Sequence, residues 1–159
     1  MAFFGKRVEL GTLFEDVAGR GHSTVVHLSR PLDIAPDRGT ALDLSALAGL
    51  VRDAAGWLAA AGVKPGDRVA IGKRDHWDTV LLCCAAARVG AVPAPLSAHL
   101  EPDVLDVLLE RLDPALLVVD AARSAAAPAA VPTLVLGGEA AGPSVLSLDD
   151  VRGHPAPAP

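Results

Sequence analysis

The sequence predicts an α/β fold, a mostly parallel sheet with helices packed on it, from three observations. Short aliphatic runs alternate with longer stretches of helical periodicity from residue 43 onward. Glycine or a Pro-Gly pair marks most of the junctions between them. Hydrophobic residues make up 51% of the chain but aromatics only 3%, so the core must be assembled from Ala, Leu and Val. Strands that alternate with helices are joined by crossovers, and crossovers make neighbouring strands parallel.

The elements follow in order. Thr12 with Glu15 three residues on is a capping-box pattern, and Leu10, Leu13, Phe14 and Val17 give its helix an apolar stripe ended by Gly19 and Gly21. Ser23 to Leu28 alternates like a strand, and Thr40 to Leu44 returns as its hairpin partner beyond a turn-rich stretch. Asp43 caps a helix running to about Ala61, with Leu47, Leu50, Val51, Ala54 and Leu58 on one face. Gly62 suits the left-handed position that ends it. Lys64-Pro65-Gly66-Asp67 is a type II turn by its chemistry, leading into the strand Arg68 to Gly72.

A helix follows from about residue 76 to Arg88, apolar on nearly all sides, and Gly90 ends it. Ala91 to Leu96 reads as a strand whose Pro93 and Pro95 place it at an edge or a strand end. Pro102 opens a helix that Asp113-Pro114 closes at Leu112. Ala115 to Asp120 and Thr133 to Leu136 are further strands, and the Ala/Pro-rich stretch between them is either a short helix or a loop. The tail, GHPAPAP, reads as a linker.

Composition excludes several functions. At 159 residues the chain suffices for one domain, which hides ~68–70% of its unfolded surface. A net charge of −5, without a Lys/Arg cluster, argues against nucleic acid as a partner. The longest strongly apolar run, Val80 to Ala87, is far short of the ~20 residues that span a bilayer, and no signal-peptide pattern opens the chain. Cys83 and Cys84 are adjacent, which suits two small buried hydrophobes in a reducing cytoplasm better than a disulfide or metal framework. The histidines (22, 27, 76, 99, 154) show no metal spacing.

The run Gly62-Val63-Lys64-Pro65-Gly66-Asp67-Arg68-Val69-Ala70-Ile71 resembles a signature near the N-terminus of the AMP-forming acyl-CoA synthetase and nonribosomal adenylation-domain superfamily. Three more segments resemble it in the same order. Asp43-Leu44-Ser45-Ala46-Leu47 stands where that family reads Thr-Tyr-x-Glu-Leu; Ala87-Arg88-Val89-Gly90-Ala91-Val92 with Pro95-Leu96 matches its helix–Gly–strand–Pro segment; and Leu116 to Asp120 matches the next strand. The departures at Leu44, Ala46 and Asp75 fall in scaffold.

The resemblance implies that residues 1–150 are the N-terminal α/β subdomain of an adenylate-forming enzyme, with 151–159 a linker. It further implies an ATP- and Mg-dependent ligase that makes an acyl-adenylate and then an acyl-thioester. The family's Ser/Thr/Gly-rich phosphate loop does not occur in this sequence, and no Lys follows Lys73. Charge developing on the phosphate oxygens needs such donors, so the chain alone is expected to be incompetent. It is assigned no catalytic residue, no metal ligand and no cofactor of its own. Expected partners are the remainder of the enzyme or a second copy of this chain.

Two residues are candidates for facing a ligand. Asp75 and His76, with Arg74 before them, follow a strand at its carboxyl end, where open α/β sheets bind ligands. Ser97 and His99 follow the next strand in the same way. The structural alternative is that Asp75 only caps the helix. Other readings of the whole are a stand-alone α/β binding domain of flavodoxin or receiver type, or one half of an enzyme completed in trans. The receiver reading lacks a late Lys, and the flavodoxin reading lacks stacking aromatics.

Overall fold

The structure is a computed structural model that describes residues 8–74, 76–97, 99–137, 142 and 144–158. After a single 3-10 turn (Leu10–Thr12), α1 spans Leu13–Ala18. The antiparallel pair β1 (Val25–His27) and β2 (Ala41–Asp43) follows, and then α2 (Leu44–Ala60). The α/β series continues with β3 (Arg68–Gly72), α3 (Trp77–Arg88), β4 (Val92–Pro95), α4 (Pro102–Leu112) and β5 (Leu116–Asp120). It ends with β6 (Thr133–Leu136), β7 (Val145–Ser147) and α5 (Leu148–Val151).

Five strands form one parallel sheet in the order β4-β3-β5-β6-β7. The period of two along each strand sorts its residues between two cores. Val69, Ile71, Leu116, Val118, Leu134 and Leu136 join the larger core beneath α2 and α3. Ala70, Leu117, Val119 and Val135 face the other way, against Leu105 and Leu109 of α4. β4 lies at the edge, as its prolines require.

Several sequence expectations have direct physical counterparts. Asp43 caps α2 by accepting from the Ala46 amide at 2.7 Å. Both α2 and α3 end in Schellman motifs: Val63 N donates to Leu58 O and Gly62 N to Ala59 O, as Ala91 N does to Ala86 O and Gly90 N to Ala87 O. The predicted turn is present, with Gly66 at φ +88° and Asp67 N donating to Lys64 O at 3.1 Å.

Other expectations need correction. The capping box at Thr12 and Glu15 does not form. Thr12 continues out of the preceding 3-10 turn, its hydroxyl donates to Asp16, and Glu15 is drawn away to Arg52 and Arg88. The residue in the N-cap position of α3 is His76; Asp75 lies outside the described residues. The ambiguous Ala-rich stretch is a 3-10 helix, Ala121–Ala126, begun by Asp120 accepting from the Arg123 amide. β7 and α5 were not anticipated. The segment 152–158, within the stretch 151–159 read as a linker, runs back along α2 with Ala156 half-buried against the main core, a packing that leaves its connecting role untouched.

Candidate functional site

The chain passes from β3 to β4 on one side, then crosses to β5 on the other, so the sheet reverses its winding between β3 and β5. The carboxyl ends of strands at such a reversal form the crevice where open α/β sheets bind ligands. Here that mouth is built from the residues that follow β3 and end β5. Asp120, the last residue of β5, is almost fully buried. Its Oδ2 accepts from Arg74 N at 3.2 Å and Arg74 Nε at 3.1 Å, and its Oδ1 accepts from Arg123 N.

Beneath the mouth lies a buried charge network. The Lys73 side chain is fully buried, an arrangement that requires paired charges. Its Nζ bonds Asp33 and stands 3.5 Å from Asp78 Oδ2. Asp78, also fully buried, accepts from Ile34 N through Oδ1 at 3.0 Å and holds His76 Nδ1 2.5 Å from Oδ2. Asp33 in turn takes Arg30 at 2.8 Å. Burial raises the Asp33 pKa, but the Lys73 ammonium and Arg30 outweigh it and hold the carboxyl below its usual range. A carboxylate accepts, so His76 Nδ1 is the nitrogen that donates to Asp78, and Nε2 is the ring nitrogen left over. That Nε2 is buried without a hydrogen-bond partner among the described residues.

Of the strand-end residues read from the sequence, the structure places Arg74 at the mouth on Asp120 and His76 in the buried network, whereas Asp75 lies outside the described residues. Ser97 and His99 sit exposed beyond the edge strand, where the Ser97 hydroxyl accepts from the His99 amide. Lys73, Asp33 and Asp78 were not singled out from the sequence. The available signal was a lysine directly after the apolar run Val69 to Gly72 and an aspartate in the first turn of an apolar helix.

Among the described residues of the mouth, Arg74 pairs with Asp120 through Nε while its side chain stays largely exposed, and Lys73 lies between Asp33 and Asp78. Among the described residues there is no group of three or more His, Cys, Asp or Glu side chains that could hold a metal ion. A larger groove of about 870 Å³ between α2, the 34–38 loop and the 152–158 segment is similarly self-balanced. Glu15 takes Arg52 and Arg88, Asp149 faces Arg152 at 3.7 Å, and Asp37 and Asp53 line the groove with Arg38.

A profile of the AMP-binding enzyme family matches residues 14–153. The chain belongs to that family. Its sequence is 44% identical over 138 residues to 3-amino-2-hydroxy-4-methoxybenzoate diazotase of Streptomyces cremeus, covering 83% of this chain and 25% of the diazotase. The chain thus spans about a quarter of that curated relative. Solved adenylate-forming enzymes share the fold. Coronafacic acid ligase from Pectobacterium brasiliense superposes at TM-score 0.75 with 16% identity, over 93% of this chain and 30% of the ligase. Brucella canis acyl-CoA synthetase gives 0.71 with 21% identity, over 95% and 28%. The N-terminal subdomain of Klebsiella oxytoca NpsA, in complex with 3-hydroxyanthranilyl-AMSN, gives 0.70 with 16% identity, over 100% and 36%. In the family fold this chain supplies an α/β layer, with the strand mouth at one end of it.

Proposed function

We propose that residues 1–150 form the N-terminal α/β subdomain of an ATP- and Mg-dependent enzyme that activates an acid as its adenylate, and that 151–159 connect it to the remainder. The observation that carries this reading is the family match over residues 14–153, together with a strand mouth in which Lys73 and Arg74 are each paired with a carboxylate of the chain itself. This chain therefore acts as scaffold. Its Arg74–Asp120 pair and the Lys73 network hold the mouth rigid, while the phosphate donors come from elsewhere in the enzyme. Its partner is that remainder, or a second copy while the remainder is missing. A cytoplasmic setting agrees with two free cysteines side by side on α3 and with no described helix long and apolar enough to cross a membrane.

The test is ATP–pyrophosphate exchange. The chain alone gives no carboxylate-dependent exchange, whereas the complete enzyme does. Exchange by the purified chain alone would overturn the scaffold reading.

A second reading of the acceptor chemistry follows from the 44% identity to a diazotase. Nitrite oxygen, like carboxylate oxygen, can attack the ATP α-phosphate and release pyrophosphate. The nitrogen of the resulting nitrosyl-adenylate is then open to an aromatic amine, with AMP leaving and water lost as the diazonium forms. Supplying the complete enzyme with ATP and either a benzoate plus a thiol, or an aminobenzoate plus nitrite, separates the two. AMP release that depends on nitrite and amine favours diazotisation; release that depends on acid and thiol favours thioester formation.

A further inference from the structure

We infer that Gly56 is a docking notch for the 152–158 segment, and that this contact fixes the direction in which the backbone leaves the α/β unit. Gly56 lies in the interior of the 17-residue helix α2. A glycine there weakens a helix relative to alanine, so its presence calls for a local reason. The reason lies in the segment opposite. A Cβ at Gly56 would sit 2.1 Å from the His154 carbonyl oxygen, 3.1 Å from its carbon and 3.2 Å from Ala156 N. All three are backbone atoms, which cannot swing aside as a long side chain would.

The segment is built to enter that notch. After α5, Gly153 adopts φ +82°, a left-handed turn that a side chain would resist, and bends the backbone toward α2. His154 Nδ1 lies 3.1 Å from Val151 O, securing the bend. Pro155 and Pro157 then fix φ and remove two donors, so the strap is half-ordered before it docks. Ala156 between them is the residue that packs on the main core. The docked strap also forms one wall of the 870 Å³ groove, with Trp57 and Leu50 of α2 among the residues lining it. Composition alone would make this stretch a free linker; the geometry makes it a strap.

Gly49 supplies an internal control in the same helix. A Cβ there meets nothing nearer than Arg52 Nη2 at 4.0 Å. The two glycines should therefore respond to alanine with opposite signs. In the unmodified chain, NMR should show contacts between the Gly56 Hα protons and the backbone protons of His154 and Ala156. Gly49→Ala should keep these contacts and raise Tm. Gly56→Ala should lose them, move residues 153–158 to random-coil shifts and lower Tm, while β3 amides stay protected. The inference is overturned if Gly56→Ala keeps the strap contacts, or if the unmodified chain shows none. Should Gly56→Ala fail to fold, the measurements on the unmodified chain still decide.

Discussion

Replacing Asp78 tests the buried network most directly. Its carboxylate has three partners: the Ile34 amide, the His76 imidazole and, at 3.5 Å, the Lys73 ammonium. Asp78→Ala orphans the Ile34 N–H, a loss of about 1–3 kcal/mol for a buried donor. It also strips Lys73 of one of its two counter-charges. Removing one partner of a buried pair costs roughly 3–5 kcal/mol, but Asp33 still faces Lys73, so the lower end of that range applies. The combined expectation is a loss of about 4–6 kcal/mol, a large share of the ~5–15 kcal/mol that holds a domain together. Asp78→Asn keeps an oxygen for Ile34 and should fall between wild type and alanine. Urea unfolding followed by the fluorescence of Trp57 and Trp77 measures this, and the midpoint should drop without a change in slope. An alanine variant within about 1 kcal/mol of wild type, against the ~3 kcal/mol expected for a buried pair, would refute the energetic account. Equal losses for asparagine and alanine would refute the role given to the Ile34 hydrogen bond.

Further outcomes follow from other residues. Because the folded pKa of Asp33 lies below its ordinary value, its stabilising contribution is present above about pH 4 and is lost as pH falls through the folded value; Asp33→Asn should flatten the acid limb of the stability–pH curve. Burial, then the neighbouring Cys83, pushes the Cys84 thiol up from 9.0 to about 11. The native state thus prefers the protonated thiol, stability should decline as pH rises from 9 towards 11, and Cys84→Ala should reduce that decline. At neutral pH, Cys84 should resist alkylation until urea unfolds the chain, as a mass-spectrometric time course would show. Gly11 meets α3 so closely that a Cβ would lie 2.6 Å from Arg88 Cα. Gly11→Ala should therefore lower Tm and accelerate proteolysis ahead of α1, whereas no change would mean that the turn docks differently.

Much of the fold was legible because its signals are local. The turn at Lys64 to Asp67, the glycine stops after α2 and α3 and the prolines of β4 each act within four or five residues, and each took its expected conformation. β7 and α5 escaped because three- and four-residue elements are too short for periodicity to show. Their signal was Ser147 with Asp150 three positions on, whose carboxylate does accept from the Ser147 amide and hydroxyl. At the site, Arg74 and His76 could be found by position, since they follow a strand end. Asp33 meets Lys73 across 40 residues of sequence, and Asp78 meets Ile34 across 44, so no local pattern announces either contact. The Thr12–Glu15 pattern failed for the same reason: a distant pair of arginines competed for the glutamate.

The unequal cores on the two sides of the sheet have a consequence for how the molecule opens. α4 buries only Leu105 and Leu109, against ten buried residues on α2. Little apolar area resists its departure, so the lowest-energy excursion from the native state is a partial opening of this side while the α2–α3 side stays closed. Such an opening bares Ala70, Leu117, Val119 and Val135, a band of aliphatic sheet. The Arg123 Nη2 contact to Leu100 O, at 3.5 Å, ties the segment before α4 to the residue whose amide caps onto Asp120. Fluctuations of α4 therefore reach the β3–β5 mouth through Arg123 and through Val119, the neighbour of Asp120, and a ligand that rigidified the mouth would slow the exchange of α4 amides it never touches.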